Sequence, residues 1–346
     1  MIRPWIFEFP NNFGPIEPER FDPKACAADF AWYLDLWTSF EDAGFEGMFF
    51  SEHHFAFRSL SPSPNLLVAA TAARTRRMRL GTMGNVVPFY EPWRLAEEFS
   101  MLDHLSGGRL EIGLASGVGP REFRAVGMKE EEMRPRFAEA LDIIDQALTQ
   151  PRVTHHGRFW HLDDLVVAPR PLQQPMPRRW MTGLGVPTAQ MAAQRRCCFC
   201  TGFLSTGRVC GVFDGYRAAA AVAGWSAGPE HLGLRRQVFI ADDAAAARAL
   251  SREKLQGLQA AMAHLPVTAG ASVPDAPAER QLVGDDEEIS GSPREVAEQI
   301  IEQCRRTGAA HFLAFLFGGY SREQVRRSYE LWREVIPVLR SANVGD

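Results

Sequence analysis

Two spacings of apolar residues alternate along this chain. Short apolar runs such as Phe45-Glu46-Gly47-Met48-Phe49-Phe50 and His311-Phe312-Leu313-Ala314-Phe315-Leu316 are cut off by glycine, proline or polar clusters and read as buried strands. Longer stretches between them read as helices that bury one face. On this pattern strands are predicted near 2–9, 47–52, 78–87, 109–115, 178–182, 197–203, 234–241 and 311–316. Helices are predicted near 24–43, 63–76, 91–105, 133–149, 187–196, 208–223, 243–263, 293–308 and 321–340. The punctuation agrees. Gly44 stops the first helix, Gly107-Gly108 the third, and Ser292 before Pro293 is placed to cap a later one.

Strands that alternate with helices run parallel, because a helical crossover returns the chain to the same end of the sheet. Eight such repeats predict an α/β protein, a (β/α)8 TIM barrel with inserted loops, over 1–346 as a single domain; an open doubly wound sheet is the alternative. Two segments break the rhythm. Residues 150–177 carry Pro151, Pro169, Pro171, Pro175 and Pro177 and read as an irregular excursion. Residues 265–291 mix proline and glycine with the acidic run Asp285-Asp286-Glu287-Glu288 and read as a lid loop.

Composition narrows the function. Net charge is −4, from 38 basic and 42 acidic residues, which gives no basic field for nucleic acid or an anionic membrane. No apolar run approaches a membrane span, and the N-terminal residues read as a first strand rather than a signal peptide, so a cytoplasmic location is expected. Six cysteines are present, with Cys197, Cys198 and Cys200 crowded into one predicted strand. Without paired C-x-x-C spacing or a companion ligand cluster they read as buried thiols, and no metal site is expected.

The chemistry concentrates in Ser51-Glu52-His53-His54-Phe55, which ends the second predicted strand. In a barrel, that end faces the active-site mouth. Two imidazoles and a carboxylate at the end of a buried strand must be paired or used, and histidine is the natural acid–base group near neutrality. Adjacent histidines on an extended strand point to opposite faces, which disfavours a shared metal. Two glycine-rich turns follow other strands. Thr182-Gly183-Leu184-Gly185-Val186-Pro187-Thr188 precedes a helix and suits a phosphate, though it is not a dinucleotide fingerprint. Ser116-Gly117-Val118-Gly119-Pro120-Arg121 can present backbone amides, with Arg134 and Arg136 just beyond it. Phe7, Phe55, Phe57, Trp160 and Phe317 are candidates to line an apolar pocket.

Taken in order, several segments make the chain resemble the bacterial luciferase-like flavin monooxygenases over nearly its whole length. They are Glu52-His53-His54-Phe55, Arg79-Leu80-Gly81-Thr82-Met83-Gly84-Asn85-Val86-Val87-Pro88, Pro92-Trp93-Arg94-Leu95-Ala96-Glu97-Glu98 and Leu102-Asp103-His104-Leu105-Ser106-Gly107-Gly108-Arg109-Leu110. Pro120-Arg121-Glu122-Phe123, Pro169-Arg170-Pro171-Leu172-Gln173-Gln174-Pro175 and Gly291-Ser292-Pro293-Arg294-Glu295-Val296 complete the set.

The resemblance implies a (β/α)8 barrel. It further implies a two-component monooxygenase that takes reduced FMN from a separate reductase and uses O2, through a flavin C4a-peroxide, to oxidise a small organic substrate. It implies a homodimer. His53 matches the family's catalytic histidine, with Glu52 and His54 shaping the site. Met83, Gly84 and Asn85 fall where the family bends its third strand beneath the flavin, often through a non-prolyl cis peptide. Gly183, Leu184, Gly185 and Thr188 match the phosphate turn, Arg134 a phosphate-binding arginine, and residues 265–291 the mobile loop. Ser116 and Gly117 stand where many relatives carry an arginine. A family branch uses a deazaflavin, so a deazaflavin-dependent dehydrogenase or reductase stays open. So does a non-catalytic flavin-binding subunit, against which His53 argues.

Overall fold

The computed structural model describes residues 1–14, 18–55, 59–117, 120–264, 286–316 and 319–344. Eight parallel strands follow one another round a closed sheet. They are β1 (Arg3–Glu8), β2 (Gly47–Phe50), β3 (Arg79–Thr82), β4 (Leu110–Ala115), β5 (Arg178–Thr182), β6 (Cys198–Thr201), β7 (Leu232–Ile240) and β8 (His311–Phe315). Each pairs with the next, and β8 returns to β1 with Arg3 opposite His311 and Ile6 opposite Ala314. The expected (β/α)8 barrel is the fold, and the open-sheet alternative fails at that last pairing.

The surrounding helices are α1 (Pro23–Ala43), α2 (Pro64–Arg74), α3 (Pro92–Ser106), α4 (Glu130–Thr149), α5 (Val186–Gln194), α6 (Thr206–Val222), α7 (Ala244–His264) and α8 (Pro293–Thr307). Local chemistry sets their ends. Asp22 accepts from Lys24 N at 2.8 Å ahead of Pro23, and α1 stops at Gly44 in the left-handed region. Ser292 and Glu295 form a reciprocal capping box at α8. The single helix expected over 321–340 is instead two, α9 (Arg322–Glu330) and α10 (Trp332–Ser341), with Leu331 between them.

The strands alternate as the pleat requires. Ile6, Met48 and Phe50 face outward into the core shared with the helices. Trp5, Phe7, Phe49, Met83, Trp180, Cys198, Cys200, Leu313 and Phe315 fill the lumen. The N-terminal end of the barrel is closed by polar pairs among aromatic rings. Trp5 Nε1 donates to His311 Nδ1 at 2.8 Å, leaving His311 Nε2–H to donate to the Glu230 carbonyl at 3.1 Å. Trp180 Nε1 and Arg178 Nε each donate to Glu111 Oε2 at 2.7 Å, and Arg79 pairs with the other carboxylate oxygen. A buried carboxylate is tolerable there because both oxygens are satisfied by charged or indole donors.

β3 is interrupted. After Thr82 the Met83–Gly84 peptide is cis, and the chain resumes pairing with β4 at Asn85–Val86, opposite Leu114 and Ala115. Glycine is required on both sides of this crossing. A Cβ on Gly113 would lie 1.6 Å from the Thr82 carbonyl oxygen, and one on Gly84 would lie 2.6 Å from Leu114 N.

Both rhythm-breaking segments differ from their expected form. Residues 150–177 contain an antiparallel hairpin, Val153–His156 with His161–Leu165, seated on α4 through Glu139, whose carboxylate accepts from Phe159 N and Trp160 N at 3.0 Å. Of the expected lid, residues 265–285 lie outside the described residues. Its end is built into the sheet: Glu288–Gly291 pairs with Gln237–Ile240 of β7, and Glu287 is buried against Arg236 at 2.8 Å.

Candidate functional site

The chain leaves β2 at Phe50 and is at once tied down. Ser51 N donates to Glu8 O at 3.0 Å, and His53 N donates to Ser61 O at 3.2 Å. The two histidines then diverge. His53 turns to the lumen and stacks on Phe9, with ring centroids 5.7 Å apart and planes at 19°. Burial, then the nearby Arg235 cation and then His54 push its pKa down to about 4. At neutral pH its imidazole is therefore uncharged and able to accept a proton.

His54 turns the other way and places Nε2 2.8 Å from Glu52 Oε1. That hydrogen bond raises its pKa despite partial burial. The Glu52 side chain is fully buried. Its other oxygen accepts from Tyr90 OH at 2.7 Å, Val86 N at 3.2 Å and Asn85 Nδ2 at 3.4 Å. Glu52 is thus a bracket between the His54 ring and the strand beyond the cis peptide.

Asn85 is committed in the same way. Its Oδ1 accepts from Thr82 Oγ1 at 2.7 Å, its Nδ2 reaches Asn65 Oδ1 at 3.2 Å, and it is wholly buried. Its side chain thereby helps to hold Glu52. Met83 is buried in the lumen cluster, against which Phe9 and Phe203 pack.

The remaining binding candidates stand on neighbouring strand ends, because β3, β4 and β5 are consecutive in the sheet. Ser116 and Gly117 follow β4 directly, and Gly117 has φ +88° with its α-carbon against the Phe123 ring. Val118 and Gly119 lie outside the described residues. Gly183, Leu184, Gly185 and Thr188 form the β5–α5 turn. Gly185 caps α5 without a side-chain acceptor, so the first amides of the helix are open to an anion. A Cβ on Gly183 would meet the Thr188 side chain at 2.8 Å, so only glycine leaves this hydroxyl free beside the turn. Arg134 is exposed on the second turn of α4 and has no ion pair among the described residues. Arg136 is spent on structure, lying over Trp160 at 4.4 Å and donating to Pro88 O at 3.3 Å.

The pocket candidates fare unevenly. Phe7 is in the lumen, Phe55 points to solvent, and Trp160 sits under the hairpin and donates to Glu91 at 2.9 Å. Phe57 and Phe317 lie outside the described residues. Sequence reasoning missed Phe9, which stacks on His53, Arg235, whose cation acts on it, and Phe203 and Phe315, which pack with these two. The signal for Arg235 was present: Arg235-Arg236 in a strand must send one guanidinium to each face. Cys197, Cys198 and Cys200 are free and buried, as expected. Among the described residues no cluster of three metal-ligating side chains occurs, and no helix is long and apolar enough to cross a membrane.

Comparison with known proteins adds to this geometry. A family model described as luciferase-like monooxygenase matches residues 14–311. The oxygenase component of flavin-dependent trigonelline monooxygenase from Acinetobacter baylyi is 33% identical over 166 residues, 47% of this chain and 46% of that protein. F420-dependent glucose-6-phosphate dehydrogenase from Kineococcus radiotolerans is 33% identical over 170 residues, 46% of this chain and 50% of that protein. The matched region thus spans about half the length of these curated relatives. The crystal structure of monooxygenase RslO1 from Streptomyces bottropensis superposes with a TM-score of 0.83 at 25% identity, covering 97% of this chain and 99% of that one.

Proposed function

The chain belongs to the luciferase-like monooxygenase family, and from that premise we propose that it is the oxygenase of a two-component system, taking reduced FMN from a separate reductase and using O2 to oxidise a small organic substrate. The observation that carries this reading is the arc of the barrel rim from β2 to β5. His53, the Met83–Gly84 peptide, Ser116-Gly117 and the uncapped start of α5 stand in strand order along it. These groups fit a ring system with a phosphate tail. The helix start and Thr188 suit a phosphate, and glycines at 84 and 117 keep side chains from intruding.

When bound, reduced flavin supplies the electrons that activate oxygen. The protein's share is positioning and proton handling. His53, uncharged at neutral pH, accepts or returns a proton at its free ring nitrogen. Glu52, held by Tyr90, Asn85 and the Val86 amide, fixes His54, and His54 N is fixed in turn by Glu122 Oε1 at 3.0 Å. The aromatic lumen keeps bulk water from the reacting atoms.

A deazaflavin-dependent dehydrogenase on the same fold is the second reading, favoured by the similarity to an F420-dependent enzyme. Anaerobic equilibrium titration with reduced FMN, oxidised FMN and F420 separates the two. The leading reading expects reduced FMN to bind more tightly than the others, and NAD(P)H not to bind without flavin. Tight F420 binding with no FMN binding would replace it by the second. The same reading expects a homodimer in the cytoplasm. Leu66, Met101 and Leu105, exposed on the adjoining α2 and α3, offer an apolar face for a second copy, which sedimentation of the purified protein tests.

A further inference from the structure

Opposite the rim arc just described, a second set of side chains closes on the lumen. Phe9 meets Phe7 edge-on with centroids 4.4 Å apart, and Phe315 lies 5.7 Å from Phe9 and 5.4 Å from Phe203. Among these rings Arg235 projects inward from β7. Its guanidinium carbon is 4.8 Å from the Phe7 centroid and 4.4 Å from that of Phe203.

The position is built for this side chain. A Cβ on Gly202 would fall 3.0 Å from Arg235 Nε, so glycine there lets the arginine run across the β6 backbone. Arg235 is buried, and among the described residues its Nε has no hydrogen-bond partner. On the neighbouring segment Glu287 gives Oε2 to Arg236 and leaves Oε1 without a partner, yet neither oxygen bonds Arg235, and Asp286 accepts from Thr206 N at 2.9 Å. Ring faces attract a cation but cannot accept the directed bonds of a guanidinium, and a buried cation without them is destabilising.

We propose that Arg235 anchors the carboxylate of an organic acid whose apolar body lies among Phe7, Phe9, Phe203 and Phe315, so that the substrate of this enzyme is an aromatic or alicyclic carboxylate. A planar fork of N–H donors matches a carboxylate with two parallel bonds, and the surrounding rings give shape to a cyclic body rather than a polar one. The anchored end is held on the β7 side. The body then lies toward His53, which stacks on Phe9 at the near edge of the opposite arc. The proposal deepens the oxidoreductase reading only in naming the substrate class; the binding site itself stands without flavin.

The test uses the full-length protein and four probes: benzoate, cyclohexanecarboxylate and their two carboxamides, titrated calorimetrically with and without oxidised FMN. At least one acid should bind roughly 10–100-fold more tightly than its amide, as expected for charge-assisted bonds in a buried site. Arg235→Met, which keeps the stem volume, should abolish that preference while leaving FMN affinity within threefold of wild type. Arg235→Lys should retain part of it. The His53 imidazole supplies an independent readout by NMR, its signal assigned with His53→Gln. A carboxylate on Arg235 offsets the cation that faces His53, so acid but not amide should raise the His53 pKa in wild type, with no such rise in Arg235→Met. Amides binding as tightly as acids, a preference that survives Arg235→Met, or no acid binding at all to protein that binds FMN would overturn the proposal. An acid preference lost in Arg235→Met, in protein that binds no flavin, would leave the anchor standing and remove the flavin reading instead.

Discussion

Glu8 is the last residue of β1 and points outward beneath α1, fully desolvated, with Trp37 Nε1 donating to its Oε2 at 3.1 Å. Burial pushes its carboxyl pKa up from 4.5 to about 7, a shift that the Trp37 bond only partly opposes. A carboxyl raised in the folded state binds its proton more tightly there than in the unfolded chain. Its stabilising contribution is complete below pH 4.5 and is lost as pH rises through 7. At 1.36 kcal/mol per pKa unit the loss across that window is roughly 3 kcal/mol, a large share of a typical domain stability. Tyr33 and Tyr329 pack against Glu8, but burial moves both phenols further up, so neither titrates in this window.

Glu8→Gln keeps an oxygen for Trp37 and removes the titration. Urea unfolding of both proteins at pH 5, 6, 7, 8 and 9 should show the variant gaining on wild type by about 2.5 kcal/mol between pH 5 and 8, since part of the change lies below pH 5. Function should follow. The Glu8 carbonyl holds Ser51 N, the first anchor of the histidine loop, so charging Glu8 loosens the turn that carries His53. A stability difference between the two proteins that stays constant, within about 0.5 kcal/mol, from pH 5 to 9 would refute the reasoning.

His53→Ala is expected to lower turnover by ~10²–10⁴-fold while flavin affinity, measured by titration, changes little. In the wild-type enzyme the acid limb of kcat/KM should fall near the His53 value of about 4 rather than near 6.5, because the reactive imidazole is the uncharged form. Tyr90→Phe removes the donor 2.7 Å from the buried Glu52 carboxylate and should cost about 1–3 kcal/mol in urea unfolding; a loss below about 0.5 kcal/mol would show that Glu52 does not depend on it. Gly113→Ala should depress the thermal midpoint sharply, since its Cβ would overlap the Thr82 carbonyl, whereas Gly211→Ala on α6, which meets nothing within 4 Å, should leave the midpoint unchanged or raised.

The barrel was legible because strand runs and helix stops agree along the whole chain, and the divergence of His53 and His54 follows from strand geometry alone. What escaped the sequence depended on distant partners. The acidic run at 285–288 looked like a solvated loop, yet Glu287 is buried by Arg236, which stands 51 positions earlier, and Glu288 opens a strand against β7. The hairpin within 150–177 was hidden by the prolines around it, while its support comes from Glu139 on α4. Asn85 matched a cofactor position by sequence order, but its amide is consumed by Thr82, Asn65 and Glu52, which only the folded rim brings together. Arg235 and Arg236 are indistinguishable until one knows which face of β7 looks inward.

The interruption of β3 has a consequence for how this protein can be altered. Because β3 crosses β4 where Gly84 and Gly113 leave no room for a side chain, and Glu52 is held by Val86, Asn85 and Tyr90 beyond that crossing, the β2–β5 half of the rim works as one interlocked frame. The rings and cation on the β6–β1 half meet that frame through ring stacking, as where Phe9 lies on His53. Apolar contacts without shared polar networks tolerate exchange, though rings that touch one another must be varied together because their effects couple. A mutant library confined to Phe9, Phe203, Phe315 and Arg235 should therefore redirect what the enzyme accepts while its redox apparatus stays intact. Libraries drawn around Asn85, Tyr90 and Gly113 should yield mostly inactive clones.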